Sequence, residues 1–175
     1  KAGFRPDHAA TVYTQILKRL YPHVPVVVGG IEASLRRLTH YDYWSDSLRP
    51  SMLIESGADL LIYGMGERVV QQVARAMRNG FNAKLLRKIN QVAFVADKSY
   101  VERLDPDTTI HLHSFEECQC DNRAFGENFA KEELLSNQME PVTTLVEQVG
   151  DKYVVVTPPN TTLTTEELDH SFDLP

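Results

Sequence analysis

The sequence predicts an α/β fold, with an incomplete parallel sheet and flanking helices in its first half and a smaller α+β extension after it. Two short apolar runs carry this prediction, residues 25–28 and 58–63, and each stops at glycines, Gly29-Gly30 and Gly64-Met65-Gly66. Helical spacing brackets both runs, and alternating helix and strand is the pattern of a parallel sheet with crossover helices. The 175 residues are 42% hydrophobic and 24% charged, the balance of a globular chain.

Val12, Ile16, Leu17 and Leu20 lie at the spacing of one helix face. Asp7 or Thr11 is placed to cap its start, and Pro22 follows its end. Residues 25–28 have too few polar positions for a half-exposed strand, so they read as a buried one. Residues 32–38 read as a short helix. Residues 41–51 are polar and aromatic without a clear period, and a loop is expected there. Residues 52–56 give a further helical turn ending at Gly57, and residues 58–63 the second strand. Val69, Val70, Val73, Ala74 and Met77 then show helical spacing over residues 67–79, with Gly80 where a left-handed cap sits. Two strands are too few for a stable sheet, which predicts further strands ahead of this segment.

Beyond residue 81 the pattern changes. Residues 91–96 read as a strand and residues 110–113 as a second. Residues 121–138 hold an amphipathic helix built on Phe125, Phe129, Leu134 and Leu135. Residues 141–148 are expected to form another helix, stopped by Gly150. Residues 153–156 read as a strand ended by Pro158-Pro159, and Thr164 with Glu167 fits a capping box for a last helix. No internal repeat or low-complexity segment interrupts the chain.

Composition excludes several function classes. The formal net charge is −6 and no long basic run is present, which argues against a nucleic-acid surface. No apolar run approaches the ~18 residues of a membrane span. The two cysteines, Cys118 and Cys120, are too close in sequence to staple a fold, and a reducing cytoplasmic setting is the simplest expectation. Lys1 is not followed by a signal-peptide pattern, and residues 171–175 do not read as a natural terminus. The expectation is therefore a piece of a longer protein.

The two glycine-terminated strands are the candidate site. Gly29-Gly30 lets a backbone approach a ligand closely, because neither residue has a Cβ; the plain alternative is a tight strand-to-helix turn. The backbone N–H groups of Gly64-Met65-Gly66-Glu67 are placed to face the same cleft, and the plain alternative is a well-capped helix whose Glu67 suits the dipole. Neither the dinucleotide fingerprint nor the phosphate-loop sequence is matched. His40, Tyr41, Asp42, Tyr43 and Trp44, with Arg36, Arg37 and Arg49 nearby, read either as a wall for a flat ligand or as a loop held down by aromatic packing. His111, His113, Cys118 and Cys120 are all zinc-ligand types, but C-x-C is not the usual knuckle, and one short stretch closes a tetrahedral site with difficulty. No nucleophile or zinc-protease motif is present, and no catalytic residue or metal ligand is assigned.

Four blocks of sequence, taken together and in order, carry a family likeness. RPDHAATVY, VPVVVGGIEASLRRLTHYDYW and SGADLLIYGMGE fall within residues 5–67, and VVVTPPNTTLTTEELD covers residues 154–169. They resemble the N-terminal region of the YgiQ-type radical-SAM family, a set of large, poorly characterised bacterial proteins. The resemblance implies a cysteine triplet beyond Pro175 that binds a [4Fe–4S] cluster and uses S-adenosylmethionine. This chain would then be the accessory domain ahead of that barrel, with the barrel as its partner in the same polypeptide.

The resemblance also implies a partial flavodoxin-like or cobalamin-binding-like sheet, whose Gly-rich strand ends lie beside the nucleotide tail of the cofactor. On this sequence that places Gly29, Gly30, Ser34, Gly64, Gly66 and Glu67 at the cleft. The histidine-bearing D-x-H-x-x-G motif of cobalamin domains is absent, Asp7 and His8 being adjacent, so no cofactor is expected in this segment itself. Cys118 and Cys120 do not match the cluster triplet. Three segments are expected: a partial parallel lobe over 1–82, an α+β extension over 83–150, and a strand with a connector to the barrel over 151–175. The rival readings are a module binding cobalamin or a nucleotide-like cofactor, and a small zinc-stabilised interaction domain.

Overall fold

A computed structural model describes residues 8–78, 80, 82–138 and 140–173. Along the chain it places α1 (Ala9–Leu20), β1 (Val27–Val28), α2 (Gly30–Leu35), β2 (His40–Asp42), β3 (Ser47–Arg49), α3 (Met52–Ser56), β4 (Leu60–Ile62) and α4 (Glu67–Met77). The second half adds α5 (Ala83–Leu86), β5 (Val92–Ala96), α6 (Lys98–Val101), a 3₁₀ turn (Pro106–Thr108), β6 (Thr109–His111), α7 (Phe115–Cys120), α8 (Asn122–Ser136), β7 (Thr144–Val149), β8 (Lys152–Val156) and α9 (Thr165–Phe172).

The expected α/β class with flanking helices is what forms. One six-stranded sheet runs β1-β4-β5-β8-β7-β6, and β2 and β3 make a separate hairpin. The β1–β4 pair is parallel, as the helix–strand alternation predicts, and so is β6–β7. The pairs β4–β5, β5–β8 and β7–β8 are antiparallel, so the sheet is mixed. Strands from residues 1–82, 83–150 and 151–175 thus share one sheet, and it does not rest on the first two strands alone.

The period-two alternation of the strands sorts their side chains onto two faces. Leu61, Ala93, Leu145, Val154 and Val156 meet Ala33 of α2 and Met52 and Leu53 of α3. Leu60, Ile62, Val92, Phe94, Val146 and Val155 meet Val69 and Val73 of α4, Leu86 of α5 and Val101 of α6. Each of these large side chains contributes roughly 1.5–3 kcal/mol by leaving water. The result is a three-layer α/β/α arrangement whose central strands are covered on both sides.

Several expectations are corrected. Residues 41–51 are a hairpin, not a loop: Tyr41 pairs with Leu48, and the buried Asp42 carboxylate accepts the Ser45 N–H and hydroxyl across the turn. Residues 141–148 are not a helix. Val142, Leu145, Val146 and Val149 mimic helical spacing, but residues 144–149 pair with β8 over five registered positions, and Gly150 at φ 60° closes that hairpin. Helix α1 forms, yet its apolar stripe is the outward side: Ile16, Leu17 and Leu20 are exposed, and Thr11 and Thr14 are buried. Thr11 therefore lies inside the helix and does not cap it, and Asp7 falls outside the described residues. On α8, Phe129 and Leu134 are likewise exposed, while Ala124 and Asn128 face inward. Three short helices, α5, α6 and α7, escape the periodicity argument because each is one or two turns long. Their start signals are nonetheless present, in Asn82, Asp97 and the Ser114–Glu117 capping box.

Candidate functional site

The parallel pair β1–β4 ends at the two glycine turns, and the structure brings them side by side. Gly29 sits so close to β4 that a Cβ would lie 3.4 Å from the Ile62 carbonyl oxygen. Gly30 at φ +88° and Gly64 at φ +67° both occupy the left-handed region that favours glycine. Ser34, one helical turn after Gly30, ties the two together: its Oγ donates to the Gly30 carbonyl at 2.8 Å and accepts the Gly64 N–H at 3.0 Å. The Gly64 amide, which the sequence offers to a ligand, is thus satisfied by the chain's own hydroxyl.

Gln91 holds the second turn from behind. Its carboxamide Nε2 donates to the carbonyls of Tyr63, at 2.7 Å, and Met65, and its Oε1 accepts the Asn160 N–H at 3.3 Å. Gln91 itself takes φ +66°, a conformation that costs a non-glycine residue about 1–2 kcal/mol. The Tyr63 hydroxyl donates to the Thr157 carbonyl, and burial raises its phenol above the ordinary tyrosine range. Gly66 and Glu67 belong to the head of α4 instead. A Cβ on Gly66 would meet Ile62 and Val70 side chains at 3.6 and 3.7 Å, and Glu67 lies exposed in the first turn.

A cavity of about 280 Å³ opens beside the junction, walled in part by Ser34, Arg37, Tyr63, Gly64, Glu132 and Thr157. Arg37 crosses it. Its Nη1 donates to the Ser34 carbonyl at 2.6 Å, its Nη2 pairs with Glu132 of α8 at 2.9 Å, and its guanidinium lies 5.3 Å from the Tyr63 ring centroid. Burial raises the Glu132 carboxyl, and Arg37 opposes that shift. Arg37 and Glu132 were outside the sequence-derived cleft. The arginine belongs to the Arg-rich stretch singled out above, whereas nothing local marks Glu132 or Gln91, whose roles come from long-range packing.

The aromatic cluster turns out differently from both of its readings. Tyr43 and Trp44 stack on one another at 4.8 Å on the exposed tip of the β2–β3 hairpin. The segment is held down by charge: Arg36 contacts Glu32, Asp42 and the His8 ring. The Ser45 hydroxyl, ahead of the nearby cations, keeps the Asp42 carboxyl below its usual range.

The four zinc-type residues do not converge. Cys118 is buried in α7, its thiol pushed up to about 11 by burial, and Asn128 donates to its sulfur at 3.3 Å. His113 is taken by Glu127 at 2.9 Å, and Cys120 is exposed. Among the described residues no group of three or more His, Cys, Asp or Glu side chains is arranged to hold a metal ion. The zinc-stabilised reading fails on this geometry. Nor do the residues fit cobalamin: the ligating motif is absent, and the Gly64 amide is already bonded to Ser34. Among the described residues no helix is long and apolar enough to cross a membrane.

Fold and site together define an α/β/α domain whose glycine-rich strand ends are closed by its own side chains. The chain belongs to the Radical SAM N-terminal family, whose model matches residues 1–175. It is similar to a UPF0313 protein of Porphyromonas gingivalis, 47% identical over 175 residues, covering 100% of this chain and 27% of that protein. A UPF0313 protein of Bacteroides thetaiotaomicron is 44% identical over 186 residues, 100% of this chain and 30% of the relative. One from Clostridium perfringens is 42% identical over 177 residues, 99% and 26% respectively. The chain therefore spans between a quarter and a third of the length of these relatives. No solved structure gives a significant match to it.

Proposed function

We propose that this chain is the N-terminal accessory domain of a YgiQ-type radical-SAM iron–sulfur protein, and that it works by seating on the barrel that carries the cluster. The observation that carries this reading is the family match over the whole chain, in relatives more than three times as long. The donor set supports it. A cluster triplet needs three cysteine thiolates, and this chain has two, one of them buried and held protonated. The [4Fe–4S] cluster and S-adenosylmethionine are accordingly assigned to another part of the polypeptide. Residues 1–175 supply shape and contact in place of redox chemistry.

The connector in this reading is α9. It starts with a full Thr164–Glu167 capping box, and Arg68 of α4 pairs with Glu167 and donates to Thr161. That anchor fixes where the chain leaves the sheet, at the strand-end side that carries Gly64 and Ser34. Phe172 at the end of α9 is exposed and is the side chain we assign to the barrel contact. Two free cysteines suit a reducing cytoplasm, the setting proposed for the parent protein.

The test is anaerobic purification of the full-length protein. The reading expects iron and sulfide in near-equal amounts and reductive cleavage of S-adenosylmethionine to 5′-deoxyadenosine. Protein without iron, from a gene that encodes no cysteine triplet after this segment, would overturn it.

A further inference from the structure

The six-stranded sheet ends on two unlike edges. On one, β6 carries Thr109 and His111 beside a single apolar residue, the polar character of a strand that faces water. On the other, β1 carries Val27 and Val28, preceded by Val26, and no charged side chain. Val27 packs toward the α4 face of the sheet and Val28 toward the α2–α3 face, and both are only half-buried. Apolar side chains on both faces are the pattern of a strand inside a parallel sheet. β1 has such a parallel neighbour in β4 and none on its other side among the described residues. By number the sheet needs no further strand; the unprotected edge is what asks for one.

Helix α1 is tied to that strand. One carboxylate oxygen of Asp59 accepts Lys18 Nζ at 2.9 Å and the Val26 N–H at 2.7 Å, which joins the end of α1 to the start of β1. Tyr13, Ile16, Leu17 and Leu20 line one side of α1, and Tyr21 and Val24 carry the apolar surface on toward β1. All six are exposed, Leu20 at 60%. Apolar side chains grouped in this way, unlike single ones, mark a surface that another element covers.

Topology and length name that element. α1 runs into β1 across residues 21–26, the second half of a β–α–β unit, and parallel strands are joined by helical crossovers of this kind. The first half is a strand ahead of α1. The relatives are more than three times as long as this chain, so the complete polypeptide has the length to supply it. The chain beyond α9 is differently placed, because Arg68 ties α9 to α4, on the sheet face opposite to α3, and α3 is the helix against which α1 packs.

We propose that the open edge of β1 and the apolar side of α1 form one docking surface, and that its occupant is the polypeptide ahead of Lys1. A strand of that segment pairs in parallel with β1, α1 is the crossover between the two, and the residues around the added strand cover Leu17 and Leu20. The surface is separate from the Phe172 contact. Iron-free protein would overturn the radical-SAM reading and leave this one standing.

The test is photo-crosslinking of the full-length protein with p-benzoylphenylalanine in place of Leu20, joined to hydrogen exchange of the unsubstituted protein. Isotope-labelled and unlabelled protein are mixed, so that links within a molecule are told from links between two. Links within a molecule, to residues ahead of Lys1, are expected. Successive amides of a strand point to opposite neighbours, so the amides of Val27 and Val28 are both expected to exchange at least about a hundredfold slower than in an unfolded chain. Links only to residues after Pro175, links only between molecules, no link in a folded protein, or fast exchange at either amide would overturn the proposal. If the substituted protein does not fold, exchange at Val27 and Val28 decides alone.

Discussion

Glu147 sits in the middle of β7 with 1% of its surface exposed, and burial pushes its carboxyl up to about 8 despite the Thr39 hydroxyl and N–H, which favour the anion. In the unfolded chain a glutamate titrates near 4.3. The folded protein therefore holds the proton more tightly, and folding is favoured by Glu147 fully below about pH 4.3. That contribution is lost as pH rises through about 8. Thermal melts are expected to show a falling Tm across this window, and Glu147→Gln, which cannot ionise, to fall less steeply. Equal slopes for the two proteins would contradict the assignment. Gly64 offers a second residue-scale test. At φ +67°, with a built Cβ 3.3 Å from Gln91 Nε2, Gly64→Ala is expected to cost about 1–2 kcal/mol in denaturant melts. Gly126, helical in α8 with open space where its Cβ would stand, is the opposite case, and Gly126→Ala is expected to stabilise by about 0.5–1 kcal/mol.

At the scale of elements, the strands of the parallel pair and the helices α3, α4 and α9 were legible because local signals agree with their tertiary setting. Gly57 and Gly80 take the positive φ that their positions after a helix suggest, and Thr164–Glu167 closes its box. What misled was periodicity without knowledge of the partner. The stripe of Ile16, Leu17 and Leu20 is real, but α1 buries Thr11 and Thr14 instead and packs against α3. Residues 141–148 read as a helix because Glu147 breaks the apolar run at the position where a helix would be polar, and only the pairing of residues 144–149 with β8 shows that it is buried. Of the expected cleft, Gly29, Gly30, Ser34 and Gly64 do meet. Glu132 and Gln91 reach the same place from far along the chain, which no short-range pattern encodes. One element-scale prediction follows from the α4–α9 anchor. Arg68→Ala removes the pairing with Glu167 and the bonds to Thr161, and hydrogen exchange in residues 165–172 is expected to quicken while β5 and β8 keep their protection. Unchanged exchange in α9 would mean that its packing, not Arg68, holds it.

For the whole molecule, a domain with a sheet covered on both faces still leaves large apolar side chains in water, Phe172 among them. A single exposed side chain is ordinary, but Phe172 lies on the helix that the proposed architecture makes the connector. Its exposure in residues 1–175 should then be lost in the complete polypeptide, whose relatives are more than three times as long. Hydroxyl-radical footprinting of the full-length protein, read at Phe172, tests that docking most directly. Phe172 is 81% exposed in this domain, and the account predicts labelling at a small fraction of its intrinsic rate once the rest of the protein is present. Labelling of Phe172 at the rate of a free phenylalanine would contradict the claim that this domain seats on the barrel through α9.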